Sequence, residues 1–121
     1  MKRHLDDIPP ERSRQFDVIE SASAKTLRWA AHEAVPLERI EPVVPFVETD
    51  FSLDAWLFFD TEAHVDQFRI DGIGDKVVAQ FRSDLADSGY PPEWLALVVC
   101  HFGSKEVVDR EYQGSYYYFL R

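Results

Sequence analysis

The sequence DAWLFFD, residues 54–60, carries the clearest strand signal in the chain and decides how the other elements are arranged. In an extended segment, successive side chains alternate between two faces. Trp56 and Phe58 would therefore lie on one face, and the three apolar residues around them on the other. Because both faces are apolar, the segment is expected at the centre of a sheet that is covered on both sides.

Two further segments are predicted as strands. Residues 94–102, WLALVVCHF, are rich in β-branched and apolar residues and again predict a central strand. Residues 115–120, within the C-terminal QGSYYYFLR, alternate two apolar faces after Gly114 and predict the last strand. Prolines interrupt the segment before residue 54, so a short turn is expected at residues 37–40. Residues 43–51 are expected to be extended, at a sheet edge or in a loop.

Apolar residues at helical spacing predict a long N-terminal helix that starts after the paired prolines and ends before Pro36. A second helix is predicted over residues 75–88, with an aspartate at its start and a glycine after its end. A short helix is expected over residues 61–68. Residues 104–112 fit both a helix and a strand, and the helix, capped by Ser104, is favoured.

These elements predict an α+β fold. The sheet would have three to five mainly antiparallel strands, packed with the long N-terminal helix and the second helix near 75–88. Residues 1–10 are expected to form a flexible arm, and residues 11–121 a single domain. A chain of 121 residues is long enough for one hydrophobic core.

The formal net charge is −9, and the acidic residues are concentrated in one segment. Residues 41–75 contain nine acids and a single base, Arg69, which gives this segment a net charge of −8. A protein that binds nucleic acid needs a positive surface, and this charge pattern predicts none. An acidic segment would instead attract a basic protein partner.

The sequence also indicates the cellular compartment in which the protein is expected. It contains one cysteine, Cys100, so an intrachain disulfide cannot form, which fits a reducing environment. No apolar run has the length that spans a membrane, and the N-terminal MKRHLDDIPPERSR lacks the apolar stretch of a secretory signal. A cytoplasmic protein without membrane contact is therefore expected.

No pattern in the sequence predicts a catalytic residue, a metal site or a cofactor. Cys100 and His101 are neighbours on a predicted strand, so their side chains point to opposite faces and cannot form a catalytic pair. The acids and the histidine between residues 60 and 75 lack the ligand spacing of a calcium loop. The GIGD stretch in the same segment has too few glycines for a nucleotide-binding fingerprint.

A concentrated acidic segment together with many aromatic residues favours a binding protein. We expect a non-enzymatic acidic protein that binds a basic protein partner. In size and charge alone, it is comparable with small bacterial inhibitors of the immunity or antitoxin type. The acids expected to bind the partner are Glu48, Asp50, Asp54, Asp60, Glu62, Asp66 and Asp71. The aromatic residues expected in a pocket or interface are Trp56, Trp94, Tyr116 and Tyr118.

Two alternatives remain open on the sequence alone. A pocket lined by the aromatic residues would make the protein a small-molecule-binding domain or an enzyme. A homo-oligomer, with a homodimer as the simplest case, would form if the C-terminal strands paired across subunits.

Overall fold

The computed structural model describes residues 8–121 and shows an α+β fold, with six helices and a three-stranded mixed sheet in this part of the chain. In chain order the elements are α1 (Pro10–His32), β1 (Leu37–Val43), β2 (Leu53–Phe59), α2 (Glu62–Asp71), α3 (Ile73–Asp87), α4 (Pro92–Leu95), β3 (Val98–Ser104), α5 (Lys105–Glu111) and α6 (Tyr116–Phe119). The arm expected at residues 1–10 falls mainly on residues 1–7, which lie outside the described residues.

The strand order is β1-β2-β3, so that β2 is central as its two apolar faces predict. β1 is antiparallel to β2, with Ile40 opposite Leu57, whereas β2 is parallel to β3, with Ala55 opposite Cys100. The expectation of mainly antiparallel strands is therefore corrected to a mixed sheet. A parallel pair needs a long crossover connection, and α2, α3 and α4 provide it between β2 and β3.

The boundaries of β1 and β3 also differ from the prediction. Residues 94–102 divide into the end of α4 and most of β3, because the helix begins at Pro92, a residue favoured in a first helical turn. β3 is an edge strand, so its expected central position was wrong. Residues 37–40, expected as a turn, belong to β1. Pro42 lies on this strand, and an edge position tolerates its missing N–H.

The main core lies between one face of the sheet and the helices α1, α2 and α3. Leu57 and Phe59 of β2 are fully buried in it, together with Phe81 of α3. The neighbouring residue Phe58 is equally buried but points to the other face and lies outside this cluster. The central strand is therefore covered on both sides at its C-terminal end.

The predicted helices are confirmed with small shifts of their ends. α1, α2 and α5 lie close to where they are predicted. α3 begins at Ile73, so that Asp75, the aspartate expected to cap it, lies inside its first turn. The segment between α2 and α3 was expected to be a loop, but a single left-handed residue, Gly72 with φ of 88°, joins the two helices. None of the described helices has both the length and the apolar character needed to cross a membrane.

The C-terminal segment forms a helical turn, and the prediction of a strand over residues 115–120 was wrong. Ser115 caps this turn, because its Oγ accepts a hydrogen bond from the N–H of Tyr118 at 3.2 Å. Tyr116 and Phe119 are three residues apart, so they share one face of the turn and both contact Phe58. The segment therefore offers no strand for pairing across subunits.

Thr26 and Asp84 form a buried polar contact between α1 and α3. The Thr26 hydroxyl donates to Asp84 Oδ2 at 2.8 Å, and Asp84 is only 6% exposed. Thr26→Val keeps the shape of the side chain but removes the donor from a buried carboxylate. We expect this change to lower the free energy of unfolding by about 2 kcal/mol in urea denaturation. Thr26→Ser is the control, since it keeps the donor and loses one methyl group, worth about 1 kcal/mol. Equal stabilities of the valine variant and the wild type would contradict the contact's role.

Candidate functional site

The second face of β2 is covered over only part of its length. Phe58 is fully buried under α6, and its ring centroid lies 4.7 Å from that of Tyr116 and 5.3 Å from that of Phe119. Trp56 lies on the same face, contacts Phe119 edge-on at 5.2 Å and remains partly exposed. The uncovered part, here called the open face, is formed by Val43, Asp54, Trp56, Val99 and His101.

Asp54 and His101 form a pair on the open face. His101 Nε2 lies 2.7 Å from Asp54 Oδ1, and the imidazole stacks on the Trp56 indole with a centroid distance of 4.8 Å. The carboxylate and the indole together fix the orientation of the imidazole. Cys100 packs against the core on the opposite face, and burial raises its pKa to about 11. Its thiol is therefore protonated near neutral pH and is a weak nucleophile.

A second pair lies where β2 runs into α2. Asp60 Oδ1 is 2.6 Å from His64 Nδ1, and the His64 ring stacks on Phe68 at 5.2 Å. Thr61, between the paired residues, caps α2 by accepting a hydrogen bond from the N–H of His64 at 3.1 Å. This pair belongs to the start of the helix, and it orders the turn that leaves the sheet.

The N-terminal ends of α2 and α5 are joined beside this second pair. The N–H of Glu106 donates to the carbonyl of Asp60, and the Glu106 carboxylate accepts from the N–H of Glu62, both at 3.0 Å. Arg110 completes the link with a 3.1 Å ion pair to the Glu62 carboxylate. The anionic side chains therefore lie at the ends of helices that favour negative charge.

A cavity of about 390 Å³ lies between α2, β3 and α5. It reaches Ser104, the last residue of β3, and carboxyl ends of parallel strands are common positions for ligands. Its lining residues are Glu62, Val65, Asp66, Phe102, Gly103, Ser104, Val107 and Phe119. Within residues 8–121, no group of three or more histidine, cysteine, aspartate or glutamate side chains is arranged to hold a metal ion.

The β1–β2 loop, residues 44–52, is held by a buried arginine of α1. Arg12 is 5% exposed, and its Nη2 donates to the carbonyls of Pro45, Val47 and Asp50 at 3.2, 2.8 and 2.9 Å. Within the loop, the Asp50 carboxylate accepts hydrogen bonds from the N–H and the hydroxyl of Ser52. These bonds hold the pKa of Asp50 below its ordinary value, so the carboxylate is charged at neutral pH.

The acids predicted as partner-binding residues lie in three places. Glu48 and Asp50 are in the β1–β2 loop, Asp54 is on the open face, and Asp60, Glu62, Asp66 and Asp71 lie on α2 or next to it. Of the predicted aromatic residues, Trp56 and Tyr116 contact the rings of the second face. Tyr118 is 54% exposed. Trp94 is buried instead on the core side, where it stacks on Phe51 at 4.2 Å.

Three features of these sites were missed by the sequence analysis. The Asp60–His64 pair has a local signal, since residues four apart at a helix start lie on one side. The Asp54–His101 pair joins different strands, and no local pattern predicts it. Arg12 contacts a loop more than 30 residues away, and nothing in its sequence neighbours indicates this contact.

Comparison of the chain with protein-family models, with curated proteins and with solved structures finds no match.

Proposed function

We propose that the protein is a non-enzymatic binding protein that recognises a basic protein partner, as an inhibitor of the immunity or antitoxin type would. The proposal is based first on the charge of residues 41–75, a segment that contains nine acidic residues and a single basic one. Opposite charge steers partners together and selects against wrong ones. Phe46 in the same segment is fully exposed, and aromatic side chains supply large contact surfaces at binding sites.

The proposal is supported mainly by the contacts of the acidic side chains in residues 41–75, because several of these carboxylates are not paired with a lysine or an arginine among the described residues. Asp50 and Asp71 accept hydrogen bonds from neutral donors, and Asp54 and Asp60 contact imidazoles. Hydrogen bonds from neutral groups orient a carboxylate without cancelling its charge. Glu62 and Glu41 differ, because Arg110 and Arg39 form ion pairs with them. Much of the negative field of the segment therefore remains available to a partner.

We expect that removing two exposed acids of this segment weakens partner binding, whereas removing two acids of α1 does not. The test variant is Asp50→Asn with Asp66→Asn, and the control of equal net charge is Asp17→Asn with Glu20→Gln, all at exposed positions. Proteins that the wild-type chain retains from a lysate of the source cells are identified, purified and titrated calorimetrically. The dissociation constant should rise about tenfold for the test pair and less than about twofold for the control.

The dependence of the dissociation constant on salt concentration is the second measurement. Binding of the purified partner should weaken by about tenfold or more between about 50 mM and about 300 mM salt, because screening shortens the reach of surface charges. Binding that ignores both salt and the test pair would contradict an electrostatic partner site. A source lysate that yields no basic partner at the lower salt concentration would contradict the proposed function itself.

A further inference from the structure

The contact between Arg12 and the β1–β2 loop is an unusual use of a buried charge. The guanidinium contacts three backbone carbonyls of the loop, and Gln15 Oε1 accepts a further hydrogen bond from it. Removing a charge from water is costly, and carbonyl groups compensate that cost only when they are held in place. A connection that merely joined two strands would not need such an anchor. The anchor therefore points to a loop whose exact shape matters.

The loop that Arg12 fixes presents apolar side chains to water. Phe46 is fully exposed at 104% of its reference surface, and Val47 is 62% exposed. The carbonyls of Pro45 and Val47, on either side of Phe46, are both bonded to Arg12. The backbone that carries the phenylalanine ring is therefore ordered while the ring itself contacts no core. Gln15 extends the anchor by donating to the carbonyl of Phe51 at 3.1 Å.

We propose that residues 44–52 form a preformed recognition loop, whose Phe46 ring enters an apolar pocket on a folded protein partner with a basic rim. This inference rests on the proposed function and names the surface that performs it. Aromatic anchors that fill a partner's pocket dominate many interfaces. Binding is stronger when the anchor needs no ordering on association, because ordering costs affinity. Asp50 is exposed in the same loop, and its carboxylate would meet the basic rim of such a pocket.

The shape and charge of the loop favour a protein over other occupants. A projecting ring requires a concave partner, whereas small ligands bind in concave sites on the protein itself. Anionic lipid headgroups would be repelled by the loop's acids and by the net charge of −9. A second copy of the chain carries the same acidic charge and would meet like charge with like. A basic protein with an apolar pocket is the partner that could bury the Phe46 ring and attract the Asp50 carboxylate.

The test places a photoreactive benzoylphenylalanine at position 46 of the full chain, expressed and irradiated in the source cells. The control carries the same residue at position 20, because Glu20 is exposed on α1 and lies outside both the loop and the acidic segment. We expect one basic protein to be crosslinked from position 46 and not from position 20, with identification by mass spectrometry. A lipid adduct, a crosslink only to a second copy, or no adduct at position 46 would each overturn the proposal.

Affinity measurements with the identified partner complete the test. Phe46→Ala should raise the dissociation constant about 30-fold, the effect of a central aromatic anchor, while Glu20→Ala on α1 should change it less than about twofold. Both variants should unfold at the wild-type urea concentration, since neither side chain is buried. If a basic partner binds and Phe46→Ala keeps its affinity, the proposed function stands and the recognition loop is refuted. If no basic protein binds at all, the proposed function fails with it.

Discussion

A chain that ends at Gly114 should unfold at a much lower urea concentration than the full chain. The lost segment includes Tyr116 and Phe119, whose rings cover Phe58 on the second face of the sheet. Phe58 is 0% exposed in the full chain, and without α6 its ring and one side of Trp56 would face water. Uncovering one large apolar side chain costs about 1.5–3 kcal/mol, and the packing of two further rings is lost as well. We expect the free energy of unfolding to fall by about 4 kcal/mol, out of a total of about 5–15 kcal/mol.

The control for this truncation keeps α6 and changes only its outward side. Tyr117 and Tyr118 are 69% and 54% exposed, so Tyr117→Ser with Tyr118→Ser should shift the free energy of unfolding by about 0.5 kcal/mol or less. The comparison separates the covering role of the inward rings from the general effect of aromatic residues at the chain end. Equal unfolding midpoints for the truncated and full chains would contradict the packing of α6 on the sheet.

The parts of the fold that the sequence predicts are those with long or redundant patterns. The central position of β2 follows from two apolar faces in seven residues, and both faces are indeed covered at Phe58 and Phe59. α1 is predicted because apolar residues recur at helical spacing from Phe16 to Ala34, over about five turns, so that single exceptions do not obscure the period. α3 is predicted by its stripe and by the glycine that follows it. In each case local preference and burial favour the same structure.

The parts that the sequence could not predict depend on contacts between distant residues. In YYYF, residues 116–119, alternation fits a strand and a three-residue spacing fits a helical turn, and only the position of Phe58 decides between them. The parallel pairing of β3 is likewise a property of the crossover and not of its own residues. Trp94 is an exception, because the paired prolines just before it are a local signal for the start of a helix.

The candidate sites also contain features that the sequence predicts and features that it does not. The acidic character of residues 41–75 is visible in the composition, whereas the groups that contact its carboxylates are known only from the structure. The contact of His101 with Asp54 spans 47 positions, and the contacts of Arg12 with the loop span 33 to 38 positions. Pairings at such separations leave no periodic trace in a single sequence. The sequence around Pro45 and Phe46 likewise indicates only an extended segment. The exposure of Phe46 and the contact of its loop with Arg12 are known from the structure alone.

Arg12→Met should lower the stability of the fold and loosen the recognition loop in the same variant. Two effects compete, because methionine removes the cost of a buried charge but also removes the arginine donor from three loop carbonyls, of which, within residues 8–121, only that of Val47 keeps a second donor, the N–H of Asp50. The loop lies at the surface, so water can satisfy these carbonyls once the loop moves away from α1. We therefore expect a net loss of about 2 kcal/mol in the free energy of unfolding, smaller than for carbonyl groups that stay buried without a donor.

Hydrogen exchange distinguishes this loosening from a general loss of stability. The N–H of Asp50 donates to the carbonyl of Val47 inside the loop at 3.0 Å, so its exchange rate reports the loop's order. Arg12→Met should accelerate exchange at Asp50 by about tenfold or more beyond the acceleration at core amides such as that of Phe81. Arg12→Lys keeps the charge but not the spread of donors. Its exchange rate at Asp50 should therefore lie between the rates of the wild type and of Arg12→Met. If the Asp50 amide keeps its wild-type protection in Arg12→Met, the arginine does not fix the loop. The ring of Phe46 would then have to be ordered by its partner on binding.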